Sequence, residues 1–106
     1  MEKKELTTKQ LFIGSLLVDY YKKNEKGCNI YIFINTYKNE LQEKGIDISK
    51  VNSANATLAS LGAKDYVDKK GSETYDKDLD NKTVKGRTIT IYKPTQKLID
   101  LIEENN

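Results

Sequence analysis

The chain has 106 residues, 37% hydrophobic and 32% charged, with a net charge of +2 and no histidine, enough for one domain around a single modest core. No run of about 18 apolar residues is present to span a bilayer, and the charged start Met1 to Glu5 leads into a capped helix rather than a signal peptide, so a cytoplasmic protein without a membrane is expected. The lone Cys28 cannot form an internal disulfide or, without histidine, a Cys/His zinc site, and reads as a small buried hydrophobe.

Thr7-Thr8-Lys9-Gln10 is a capping box, with Leu6 and Leu11 as its hydrophobic staple, and opens a helix running to about Asn24. The apolar set Leu11, Phe12, Leu16, Leu17, Val18, Tyr20 and Tyr21 is wider than one stripe, which places this helix at the core centre with a share in a homodimer contact. Asn29 to Ile32 is β-branched and aromatic and predicts a short strand; a longer helix starting at Asn29 is the competing reading.

From Asn35 to Lys44, Tyr37 and Leu41 continue a stripe begun at Ile34, and Gly45 supplies the left-handed stop while Ile46 folds back. Asp47 and Ser49 are both good N-caps for a following helix, whose core face is Ile48, Val51, Ala54, Leu58 and Leu61 and whose stop is Gly62. The connection is then only about three residues, as in a helix-turn-helix. Outward positions on the second helix are Ser49, Lys50, Asn52, Ser53, Ala56, Thr57, Ser60 and Lys64. Asn52 suits an adenine edge, while Ser53, Thr57 and Ser60 suit phosphates or bases without strong preference.

Tyr66, Val67 and the following lysines read as a strand, and Thr88 to Tyr92 alternates threonine with isoleucine as a half-buried partner. Gly71 to Gly86 between them is long for a turn, so the strands either project well beyond the body or are partly disordered. The stretch from Val67 to Lys93 holds seven basic residues, Lys69, Lys70, Lys77, Lys82, Lys85, Arg87 and Lys93, against five acidic ones. Beyond Pro94, which ends the strand, Thr95 caps a last helix with Leu98, Ile99, Leu101 and Ile102, and the charge there turns acidic. A basic hairpin opposed by an acidic end is the pattern of a nucleic-acid binder with one working face; ordinary solvated surface is the alternative.

Other chemistries fit poorly. Asp76, Asp78 and Asp80 match three ligand positions of a calcium loop, but Asn81 replaces the turn glycine and Arg87 the bidentate glutamate, so no metal or cofactor is expected. Without histidine, a placed base or a glycine-rich phosphate loop, catalysis is not expected either.

The order helix, strand, helix, turn, helix, wing hairpin, helix resembles the winged helix-turn-helix family of small bacterial DNA-binding proteins, an α+β fold covering nearly the whole chain, with the wing at about 66–92. Ile46 to Ser49 through Leu58 to Leu61 is similar to its turn and recognition helix, Ala63 to Val67 to its exit into the wing, and Lys85 to Ile91 to its return strand. The resemblance implies binding of duplex DNA through Lys50, Asn52, Ser53, Thr57, Ser60 and Lys64 on the helix and Lys69, Lys70, Lys77, Lys82, Lys85 and Arg87 on the wing. Arg87, the one arginine beside seventeen lysines, is placed at the wing base as a reader of a narrow minor groove. The lysine and asparagine bias is the codon signature of an AT-rich genome, which suggests AT-rich targets. It also suggests an accessory protein of a mobile element, for example at a plasmid transfer origin, or a small transcriptional regulator. An adaptor that uses the winged helix to bind protein is the alternative function.

Overall fold

The capping box at Thr7 forms as its sequence predicts. In the computed structural model, which describes residues 6–104, the Gln10 amide donates to Thr7 Oγ1 at 3.1 Å and the Thr7 amide to Gln10 Oε1 at 2.9 Å, two donors that no helical carbonyl can reach. The charged start, residues 1–5, lies outside the described residues. Helix α1, Thr8–Asn24, buries Ile13, Leu17, Val18 and Tyr20, and ends at Glu25 in the left-handed conformation.

The segment from Asn29 is helical, not a strand. Asn29 accepts the Ile32 amide at 2.9 Å as N-cap of α2, Ile30–Thr36. Ile30, Phe33 and Ile34 then bury one helical face, so their spacing and the cap outweigh β-propensity. All that remains of the strand is a single bridge between Cys28 and Tyr92. The helix expected over Asn35 to Lys44 is likewise divided at Tyr37, after which α3 covers Lys38–Glu43. Tyr37 closes this joint by packing its ring 5.5 Å from that of Phe33 and donating to Asp19 Oδ2 at 2.8 Å.

Gly45 adopts φ 73° and the Ile46 amide reaches back to the Leu41 carbonyl at 3.0 Å, the expected stop. The turn that follows is longer than predicted. Asp47 does not cap a helix; its Oδ1 accepts both the amide and the hydroxyl of Ser49, at 2.8 and 2.6 Å, a local turn that competes with helix initiation. Helix α4 therefore begins only at Asn52, after Val51, and runs Asn52–Ala63 with residues 44–51 as connection. Gly62 lies inside its last turn rather than stopping it. The left-handed residue is Asp65, φ 66°, and the Tyr66 amide closes on the Leu61 carbonyl at 2.9 Å.

Strands β1, Val67–Lys77, and β2, Thr83–Pro94, form one antiparallel hairpin, so most of Gly71 to Gly86 extends the two strands, the first of the two expected arrangements. Its turn is held by Asp78, whose carboxylate accepts the amides of Asp80 and Lys82, each at 2.9 Å. Helix α5, Gln96–Glu104, starts where the Thr95 hydroxyl meets the Asp65 carbonyl at 2.8 Å, and it buries Leu98 and Ile102. Leu98 fits over Gly14 of α1, where a Cβ would stand 3.2 Å from its Cδ1. Among the described residues the result is an α+β domain of five helices around one core with a two-stranded hairpin, an arrangement compatible with a winged helix.

Candidate nucleic-acid interface

Helix α4 presents four flanks. Ala54, Leu58 and Leu61 are fully buried. Next to them, Ser53, Thr57 and Ser60 turn toward α1 rather than outward: Lys9 Nζ donates to Ser53 Oγ at 2.5 Å and Gln10 Nε2 to Ser60 Oγ at 2.9 Å. Thr57, only 8% exposed, gives its hydroxyl to the Ser53 carbonyl at 3.0 Å. Its placement among the outward residues is thus corrected. Small hydroxyls let two helices approach while satisfying their polar groups, and that is their use here. On the opposite flank Asn55 accepts the Tyr92 hydroxyl at 2.6 Å. The solvent-facing ridge consists of Asn52, Ala56 and Ala63, with Ala59 half-buried. Lys50 is exposed just before the helix, and Lys64 at its end lies 3.5 Å from Gln10 Oε1 and accepts Lys97 Nζ at its carbonyl.

The hairpin leans on α2 through one of its two faces. Asn29, which is fully buried, donates Nδ2 to Glu73 Oε2 at 2.7 Å; Tyr31 stacks on Tyr75 with ring centroids 6.1 Å apart. Arg87 lies opposite Tyr75 in the register, well along the hairpin, whereas the base is the Val67 and Pro94 pair. Its expected position at the wing base is therefore corrected. Its guanidinium covers the Tyr31 ring at 4.4 Å and donates to the carbonyls of Tyr75 and Lys77 at 3.4 and 3.1 Å. The hairpin backbone places those carbonyls, and α2 places the ring.

The lysines divide in the same way. Lys77 is half-buried and donates to Thr83 Oγ1 at 2.9 Å. Lys69 lays its stem over Gly62 of α4, beside an open cleft of about 410 Å³ lined also by Asp65, Asp68 and Lys70. Lys70, Lys82 and Lys85 are exposed. Salt bridges join Lys22 to Glu103 and Lys23 to Asp19 on the helical side; among the described residues none involves Lys69, Lys70, Lys82 or Lys85.

Titration shifts belong to the scaffold. Burial, helped by the nearby Glu73 carboxylate, pushes the Cys28 thiol up to about 12. Burial pushes the Tyr37 phenol up as well, reinforced by its bond to Asp19. For Asp19 burial pulls upward but is outweighed by hydrogen bonds from Tyr37 and Lys23, which leave it below its ordinary value. Hydrogen bonds from the Lys82 and Asp80 amides hold Asp78 low against a smaller opposing effect of burial. Among the described residues no cluster of three or more potential metal ligands forms, and no helix is long and apolar enough to cross a membrane.

Residues that the sequence reading passed over stand on the other face of the hairpin. Ser72, Thr74, Thr88 and Thr90 pair across it; the alternation of Thr88, Ile89, Thr90 and Ile91 was the available signal. No protein-family model, curated protein or solved structure matches the chain.

Proposed function

We propose that this chain binds duplex DNA as a winged helix-turn-helix protein in which the hairpin supplies much of the affinity. The observation that carries this reading is the set of exposed hairpin lysines, Lys69, Lys70, Lys82 and Lys85, gathered on one arm and without a salt bridge among the described residues. Exposed lysines on one arm suit a partner that brings its own negative charge, and each phosphate neutralised releases counterions. The element order, with α4 leading directly into the hairpin, supports the same reading. The lysine and asparagine bias favours AT-rich targets and a role as an accessory protein of a mobile element or a small regulator. A homodimer belongs to this proposal through Leu11, Leu16, Ile99 and Leu101, which α1 and α5 leave only partly buried. Light scattering at high micromolar concentration tests it.

The deciding experiment is a titration of labelled duplex between about 50 and 200 mM salt. The expected log–log slope is about −0.9 per phosphate contacted. Binding that ignores salt, alongside a salt-insensitive protein partner, favours the adaptor reading, for which the uncharged ridge of α4 would be the docking face.

A further inference from the structure

The two faces of the hairpin are chemically unlike. The inner face, with Glu73, Tyr75 and Arg87, is taken up by α2. On the outer face the register sets Ser72 against Thr90 and Thr74 against Thr88. Gly86 belongs to the same face, since a Cβ there would stand 3.2 Å from Thr74 Cγ2. Ser72, Thr74, Gly86 and Thr88 are exposed and Thr90 is half-buried. From the Ser72 and Thr90 pair to the Thr74 and Thr88 pair the run contains no charge and no bulky side chain, and Asp76 follows on the same side of β1 two residues past Thr74. Tyr92, two residues below Thr90 and so on the same side of β2, reaches Asn55 of α4. The ladder therefore extends outward from the flank of α4.

We propose that this hydroxyl ladder enters the DNA major groove as a two-stranded ribbon and reads base edges there. The inference rests on the duplex-binding reading above and moves the reading surface from α4 and Arg87 to Ser72, Thr74, Thr88 and Thr90. Shape is the first argument. Two strands about 4.8 Å apart with short side chains fit a major groove about 12 Å wide but not a minor groove of about 6 Å. The chemistry agrees. A threonine hydroxyl donates and accepts, and its methyl packs on the thymine methyl, which projects only into the major groove. Charge agrees as well: exposed Lys70 stands at one end of the neutral run and Lys82 and Lys85 at the other, where phosphates of the groove walls would pass, while exposed Asp76 lies beyond Thr74 toward the turn. Stiffness agrees too. A free two-stranded hairpin is marginally stable in water, but this one is backed by α2, so little ordering cost remains for the contact.

Selection of sites from random duplexes by the full chain supplies the probe, followed by titration of the wild type and of a Thr74→Val/Thr88→Val double variant. Valine keeps shape and strand preference and removes only the hydroxyls. The variant is expected to lose about tenfold or more of its preference for the selected over a scrambled site, with unchanged affinity for the scrambled duplex. Replacing thymine by uracil in the selected site deletes the major-groove methyls and should weaken the wild type several-fold, whereas a minor-groove polyamide should not displace it. Retention of site preference by the double variant, or indifference to uracil with displacement by the polyamide, overturns the ladder and leaves DNA binding standing. Absence of salt-dependent binding to any duplex overturns both.

Discussion

The Arg87 guanidinium lies 4.4 Å from the centre of the Tyr31 ring, so the one arginine of the chain closes the hairpin onto α2. Two further hydrogen bonds, to the Tyr75 and Lys77 carbonyls, hold the planar fork in place. A cation over an aromatic face is worth about 0.5 to 2 kcal/mol, so Arg87→Ala is expected to lower stability by about 1 to 3 kcal/mol once the hydrogen bonds are included. Arg87→Lys should recover only part of this, because an ammonium cannot stack and fork together. Urea unfolding measures both. An Arg87→Ala protein of parental stability that has lost DNA affinity would show that the side chain leaves the clasp to read a groove.

A second contact depends on the absence of a side chain. A Cβ on Gly27 would stand 2.4 Å from the Tyr92 carbonyl oxygen, which accepts the Cys28 amide at 3.0 Å. Backbone cannot yield as a flexible side chain does, so Gly27→Ala should cost about 1 to 3 kcal/mol and loosen the tie between β2 and the loop before α2. Gly45→Ala is a different case: φ is 73° but the surrounding space is open, and the expected loss is the left-handed penalty alone, about 1 to 2 kcal/mol. Thermal unfolding of the two variants, with amide exchange at Cys28, separates the mechanisms; exchange at Cys28 should rise only in Gly27→Ala.

What was legible in the sequence was local chemistry. The capping box at Thr7, the left-handed Gly45 and the core positions Ala54, Leu58 and Leu61 each follow from residues a few positions apart. Readings failed where a distant partner decided. Ser53, Thr57 and Ser60 are plausible outward residues until α1 brings Lys9 and Gln10 against that flank. Arg87 looks free until Tyr31 arrives from α2. Asn29 is a different failure, since a strand and a capped helix were both written in the same residues, and the burial of Phe33 and Ile34 chose the helix.

Titration gives the third prediction. Cys28 is neutral in the fold, its thiol raised from an ordinary 9.0 to about 12 by burial and Glu73. Its contribution to stability is complete below about pH 9 and lost as pH rises toward 12. Tyr37, also raised, adds to that alkaline loss. Asp19 runs the other way: its lowered value means stability present above the ordinary carboxylate range and lost as pH falls through it. Thiol labelling at pH 8 should be slow in the native protein and fast in urea, and Asp19→Asn should flatten the acid limb of a pH–stability curve. Rapid stoichiometric labelling of the folded chain would contradict the burial of Cys28.

The last prediction separates the hairpin lysines from the seam of α4. Lys82 and Lys85 are exposed without salt-bridge partners among the described residues, so Lys82→Ala and Lys85→Ala should leave stability within about 0.5 kcal/mol of the parent. Each should weaken all duplexes alike and reduce the log–log salt slope by about 0.9. Lys22, bonded to Glu103 at 2.7 Å on the helical side, serves as the control, and its alanine variant should leave the slope unchanged. Ser60→Ala should behave in the opposite sense. Its hydroxyl accepts Gln10 Nε2 and donates to the Thr57 carbonyl, so the loss falls on stability, at about 0.5 to 1.5 kcal/mol, and leaves the salt slope intact. If Ser60→Ala instead flattens the slope while Lys82→Ala and Lys85→Ala do not, the phosphates lie along α4, and the hairpin is not the arm that holds the DNA.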